Sequence, residues 1–204
     1  MARTPVPVRR EERRLRRWDP FELLEEMEAE MERFLSEVCS REWHEDNDRG
    51  VRYAQSCAAL AARFPEYARE IHMWGERTED MIAGPIEGTV EILAELQRAG
   101  IPCYGLTNME AETYPLRYER FGFLRTLDGT VVSSQEGVIK PEPEIFRRLL
   151  QRFELVPAET VFVDDAERNV AAAHLLGMAT VLFRSPDQLR MELAALGLPL
   201  APAR

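Results

Sequence analysis

Lys140 is the one lysine among 26 Lys and Arg residues; the other 25 are arginines. It stands in Gly137-Val-Ile-Lys-Pro-Glu-Pro-Glu144, between an apolar pair and a proline-framed helix start. Lysine is a compact point charge able to sit beside a carboxylate and a phosphate together, whereas arginine presents a wide planar fork. Further on, the apolar run Val161-Phe-Val ends in Asp164-Asp165, two adjacent carboxylates. Such a pair attracts an oxygen-seeking divalent cation, and Mg²⁺ typically takes one or two carboxylates with water and substrate phosphate. The plainer role of the pair is an acidic helix cap. A third segment, Tyr104-Gly-Leu-Thr107-Asn108, runs an apolar strand into a hydroxyl and a carboxamide. At a strand-to-helix turn, these and the following N–H groups suit an anion. Read alone, an Asn turn is the simpler account. Asn169 is placed to tie the carboxylate loop together through its amide.

These residues need elements to hold them. Asp19-Pro20 reads as a helix cap and first turn, followed by apolar residues at three- and four-residue steps from Phe21 to Val38. Helices over 51–64 and 65–81 follow, so 19–83 is expected to be helical throughout. After Gly84-Pro85 the pattern alternates. Helices are expected over 87–99, 110–120, 142–153, 166–176 and 186–196. Strands are expected over 101–107, 130–133, 160–164 and 179–183. Regular alternation with short apolar strands implies a parallel sheet covered by helices on both faces. Ligands in such sheets bind beyond the carboxyl ends of the strands, where Thr107, Asn108, Asp164 and Asp165 fall. The expected domains are 1–17, an Arg-rich disordered segment; 18–83, a helical cap; and 84–204, an α/β core. Trp43, His44, Tyr53 and Trp74 are candidates for the cap's entrance, although helix packing is the commoner role of such residues.

The segments LTN (106–108), KPEPEIF (140–146) and VFVDDAERNVAAAHLLGM (161–178) occur in that order. Together they resemble motifs II, III and IV of the haloacid dehalogenase (HAD) hydrolase superfamily, and 19–83 resembles its inserted helical cap. The resemblance covers roughly residues 18–198. It implies a three-layer, Rossmann-like parallel sheet with an inserted cap. It further implies that Thr107, Asn108 and Lys140 bind a transferred phosphoryl group, with Lys140 also catalytic, and that Asp164 and Asp165 hold Mg²⁺. The Asp-Asp pair favours the Mg²⁺-dependent phosphatase branch, acting on a small phosphorylated metabolite through an aspartyl-phosphate. The alternatives are a non-catalytic HAD-like binding protein and, less well matched, a 2-haloacid dehalogenase.

One part of the family pattern is missing. Its first motif is a central apolar strand ending in the nucleophilic aspartate, before the cap. This chain reads PVPVRREERRLRRWDP there, with no aspartate before Asp19. Asp19 is explained by its cap position, and Glu11 and Glu12 lie in an arginine run. Pro5 and Pro7 each lack an N–H, which argues against a central strand through Val6 and Val8. The chain is therefore expected to lack its first central strand and its nucleophile, and to be inactive as written. A wrong start or shifted reading frame is the favoured explanation; a degenerate homologue and a partner segment completing the sheet are the others.

Composition narrows the setting. The net charge is −10, and residues 1–17 hold seven Arg and two Glu. That balance argues against a general nucleic-acid or anionic-membrane surface. Cys39, Cys57 and Cys103 have no disulfide or zinc spacing. There is no apolar stretch of membrane-spanning length. A cytoplasmic protein is expected. Nothing in the sequence bears on oligomeric state.

Overall fold

The computed structural model describes residues 20–201; the readings that fall on residues 1–19, including Asp19, Glu11 and Glu12, lie outside it. The first half is helical. Helix α1 (Pro20–Arg33) runs into a wide turn over Phe34–Val38, followed by α2 (Arg41–Asp48), α3 (Tyr53–Arg63) and α4 (Ala68–Arg77). Ser40 caps α2 by accepting from the Trp43 N–H. The single helix expected over 65–81 is divided into a tight turn at Pro65–Tyr67, α4, and a second tight turn at Thr78–Met81. Trp43, Tyr53, Cys57, Leu60, Tyr67 and Ile71 make a core of their own here. Trp43, His44 and Trp74 form contiguous ring contacts of 4.9 and 5.4 Å, so all three take packing roles.

Helix α1 forms where the apolar spacing placed it; among the described residues Phe21, Leu24, Met27 and Met31 are exposed, and Val38 is the first buried one. The last turns of α1 are held by polar contacts, Tyr67 Oη donating to Glu30 at 2.6 Å and Arg33 pairing with Glu66 at 3.7 Å.

Beyond Gly84 the alternating pattern holds to within a few residues. In order come α5 (Glu87–Arg98), β1 (Tyr104–Thr107), α6 (Thr113–Arg120), β2 (Gly129–Val132) and the one-turn α7 (Ser133–Glu136). Then follow α8 (Pro143–Arg152), β3 (Val161–Asp164), α9 (Glu167–Leu175), β4 (Ala179–Leu182) and α10 (Pro186–Ala195). Proline opens α8, where its missing N–H costs nothing. A reciprocal Ser185–Gln188 capping box starts α10. At Gly129 any side chain would meet the Phe153 ring, with a Cβ only 2.3 Å from it.

Strand pairing departs from one continuous sheet. β1 pairs in parallel with β2, β3 pairs in parallel with β4, and among the described residues the two pairs stay separate. One apolar core underlies both. Phe146 and Ile145 of α8 are fully buried with Val131 of β2 and Phe162 of β3, and Tyr104 and Leu106 of β1 pack against them. On the other face Val181 meets Ile92, Leu189 and Leu193. The fold is thus the expected α/β arrangement, with no strand before β1 among the described residues. No described helix is long and apolar enough to cross a membrane.

Candidate active site

The ends of β1 and β3 converge on Lys140. Its Nζ donates to Asp164 Oδ2 at 2.7 Å and to the Leu106 carbonyl at 2.9 Å. Both members of the ion pair are largely withdrawn from solvent, with side-chain exposures of 12% and 6%. A charge pair so enclosed persists only with good geometry and further hydrogen bonds. Asp164 has them. Its Oδ1 accepts from the Ala166 N–H at 2.9 Å and from Asn169 Nδ2 at 2.8 Å. Asn169 therefore ties the loop, while Asp165 is exposed beside it.

Asn108 positions the lysine from behind. Its Oδ1 accepts from the Lys140 N–H at 2.8 Å and its Nδ2 donates to the Lys140 carbonyl at 3.0 Å. That clamp joins the end of β1 to the loop before α8 and commits one bond from each end of the amide. Thr107, half-buried at the end of β1, makes only a 3.4 Å contact to the Asn108 carbonyl. Its hydroxyl is thus the less committed polar group at this strand end. Asn108→Ala removes two hydrogen bonds and should cost about 2 kcal/mol. The melting temperature should then fall by roughly 4–8 °C, which a thermal melt checks.

Apart from Tyr53, a candidate for the cap's entrance, sequence reasoning missed the residues that join the helical half to this cluster. Ser133 is fully buried; its Oγ donates to the Asp48 carbonyl at 2.6 Å and accepts from the Met109 N–H at 2.9 Å. Tyr53 Oη donates to Glu110 at 2.7 Å, and Thr113 Oγ1 donates to the same carboxylate at 2.7 Å. Arg168 pairs with Glu45 at 3.1 Å, and Arg49 pairs with Glu142. The stretch 45–53 thus touches all three loops that carry the candidate residues. Gly50 permits this closeness, because its φ of +107° and a Cβ position 2.7 Å from the Ser134 carbonyl exclude a side chain. Serine at a strand end carries no sequence signal by itself; Glu110 had one, a carboxylate two residues past Asn108. Tyr53 lines a cavity of about 420 Å³ with Thr78, Glu79, Glu112, Thr113 and Leu116.

Carboxylates crowd this junction. Burial works against ionised Glu110, yet the hydrogen bonds from Thr113 and Tyr53 hold its pKa below the ordinary value. Asp48 has the opposite fate. Burial pushes it up to about 7, with Glu110 and Glu45 adding to the rise. Its folded form therefore prefers the proton. Its stabilising contribution is full below the unfolded value of about 3.9 and is lost as pH rises through 7. Asp48→Asn should consequently gain melting temperature over the parent chain progressively between pH 5 and 8. A gap independent of pH would rule this out.

A divalent cation has a partial ligand set here. Oδ1 of Asp164 is filled by two donors, whereas Oδ2 accepts only from Lys140 and keeps capacity for a cation. Among the described residues no three His, Cys, Asp or Glu gather as an all-protein cage. One or two carboxylates completed by water and phosphate is a Mg²⁺-type donor set.

Similarity to known proteins extends over most of the chain. The family model described as a haloacid dehalogenase-like hydrolase matches residues 11–177. The sesquiterpene phosphatase astK of Aspergillus oryzae is 36% identical over 87 residues, 43% of this chain and 44% of that protein. The ribulose-1,5-bisphosphate 5-phosphatase of Halopiger xanaduensis is 32% identical over 116 residues, 56% of this chain and 48% of that protein. The chain thus spans less than half the length of either relative. A HAD family enzyme of Bacteroides thetaiotaomicron, solved with magnesium and inorganic phosphate, superposes with a TM-score of 0.56 at 19% identity. That match covers 81% of this chain and 83% of that one.

Proposed function

The chain belongs to the haloacid dehalogenase-like hydrolases, and on that premise we propose that it binds a small phosphorylated metabolite beside Thr107, Lys140 and Asp164. The supporting observation is the enclosed Lys140 ammonium, held by Asn108 at its backbone and by Asp164 at its tip. Phosphoryl transfer is chiefly positioning and charge neutralisation, and this cluster has the groups for it. Lys140 would neutralise phosphate oxygens, Thr107 would donate its hydroxyl to them, and Asn108 would keep the lysine in place. Asp164, with Asp165 beside it, would hold Mg²⁺, which supplies charge neutralisation at phosphate oxygens when bound. The phosphatases among its relatives and the magnesium in the Bacteroides enzyme favour this branch.

In this reading residues 18–83 act as a helical cap over a core of 84–204, with the stretch 45–53 as the closing edge. The setting is cytoplasmic, in keeping with three free cysteines. The acidic balance of −10 disfavours nucleic acid and anionic membranes as partners. No aspartate precedes Asp19 in the sequence, and for the chain as written we propose binding without turnover.

The test uses the purified full chain with Mg²⁺ and an aryl phosphate. No hydrolysis is expected, while inorganic phosphate with Mg²⁺ should raise the melting temperature. Robust hydrolysis abolished by Lys140→Ala would overturn the inactivity. Absence of any stabilisation by phosphate or Mg²⁺ would overturn the binding site itself.

A further inference from the structure

Helix α1 carries an apolar stripe that stays open to solvent among the described residues. Leu24, Met27 and Met31 recur at three- and four-residue steps, which sets them on one side of the helix. Leu35 continues the line into the wide turn that follows. All four are between 47% and 62% exposed. Beside the stripe, the same spacing sets Glu25, Glu28 and Glu32 in a row. These carboxylates are exposed as well, whereas the ion pairs that α1 makes with described residues belong to Arg33, with Glu37 and with Glu66. Across Pro20–Arg33 six Glu stand against one Arg, a net charge of −5.

A helix of 14 residues is marginal in water without packing of its apolar face, and an apolar patch rimmed by polar residues marks an interaction surface. We propose that α1 is the docking face for a basic amphipathic helix of a protein partner. Recognition of one helix by another reads anchors at i, i+3 and i+7, the steps that separate Leu24, Met27 and Met31. Methionine supplies adaptable, polarisable contact in such surfaces. Charges that border the apolar seam select the partner in paired helices, so the glutamate row calls for Lys or Arg along the partner's border. The same row disfavours the other occupants. A second copy of α1 would bring glutamate to face glutamate, and an anionic membrane surface would meet the same repulsion. The arginine run 9–17 has the charge but a single apolar residue, Leu15, to set against a stripe of four. This inference rests on α1 alone and holds whether or not the cluster at Lys140 takes phosphate.

The probe is a fluorescent peptide, Lys-Leu-Ala-Arg-Leu-Leu-Lys-Lys-Ala-Leu-Lys-Arg-Leu-Leu-Lys-Ala, titrated onto the full chain and followed by anisotropy. Saturable one-to-one binding is expected. Met31→Asp should weaken it at least about tenfold, as loss of a central apolar anchor does. Met31 is 62% exposed, so the melting temperature of that variant should match the parent. Charge reversal separates recognition from a structural role. The triple variant Glu25→Lys/Glu28→Lys/Glu32→Lys should lose the basic peptide and bind one carrying Glu in place of every Lys and Arg. No binding to the parent chain would overturn the proposal. So would equal binding of a peptide of the same composition with its leucines dispersed, or binding unchanged by Met31→Asp. A dimer of the chain that Met31→Asp splits in sedimentation would overturn it too, because a second copy would then own the face.

Discussion

Lys140→Met is expected to produce the largest local loss, destabilising the fold and, where the proposed phosphate site holds, removing phosphate binding with it. It leaves Asp164 as a nearly buried carboxylate (6% exposed) without its counter-charge. Breaking such a pair from one side costs about 3–5 kcal/mol, a fall in melting temperature of roughly 10 °C for a domain of this size. The Ala166 N–H and Asn169 still hold the other oxygen, which argues for the lower end of that range. The origin of the loss is separable. Asp164→Asn removes the charge that Lys140 serves, so the double variant Lys140→Met/Asp164→Asn should be less destabilised than the sum of the single changes. Additive losses in thermal melts would show that the pair is not coupled.

The largest loss of stability alone should follow from Phe146→Ala. Phe146 is fully buried and meets Phe162 edge-on at a ring separation of 5.2 Å. Truncating a buried phenylalanine costs about 3–5 kcal/mol, part of it for the cavity left behind. The upper part of that range is expected, because this ring lies fully buried in the core shared by both strand pairs. Urea unfolding, with Leu175→Ala as the comparison, measures the effect. Leu175 is 85% exposed, and its change should stay within about 0.5 kcal/mol. Similar midpoints for the two variants would contradict the shared core.

The outcome of the sequence reading differs between elements for physical reasons. The helices and strands after Gly84 were legible to within a few residues, because proline, glycine and capping residues mark their ends locally. The first helix formed where its apolar spacing from Phe21 to Val38 placed it, but periodicity reports only that a face exists, and among the described residues Phe21, Leu24, Met27 and Met31 are exposed. The short α7 and the break between 65 and 81 were also missed, since one-turn elements hold too few residues to show a period. Asn169 was foreseen as a tie for its loop and is one. Asn108 was read as a phosphate ligand from resemblance, and the fold commits its amide to the Lys140 backbone.

Lys140 itself marks the boundary between the two kinds of information. Composition alone made it unique, and the ordered segments around it identified the family and the strand ends where chemistry should lie. Those are local properties, carried by residue type and spacing. Its partners are not local. The contacts to Leu106, Asn108 and Asp164 span 34, 32 and 24 positions of chain, as does the link from Asp48 to Ser133 across 85. Side chains so far apart meet only when packing closes the chain between them, and nothing in their spacing encodes the distance. That residues 1–18 contain no aspartate was visible in the sequence. Among the described residues, the separation of β1–β2 from β3–β4 was decided by the tertiary structure, because backbone pairing depends on which strands become neighbours.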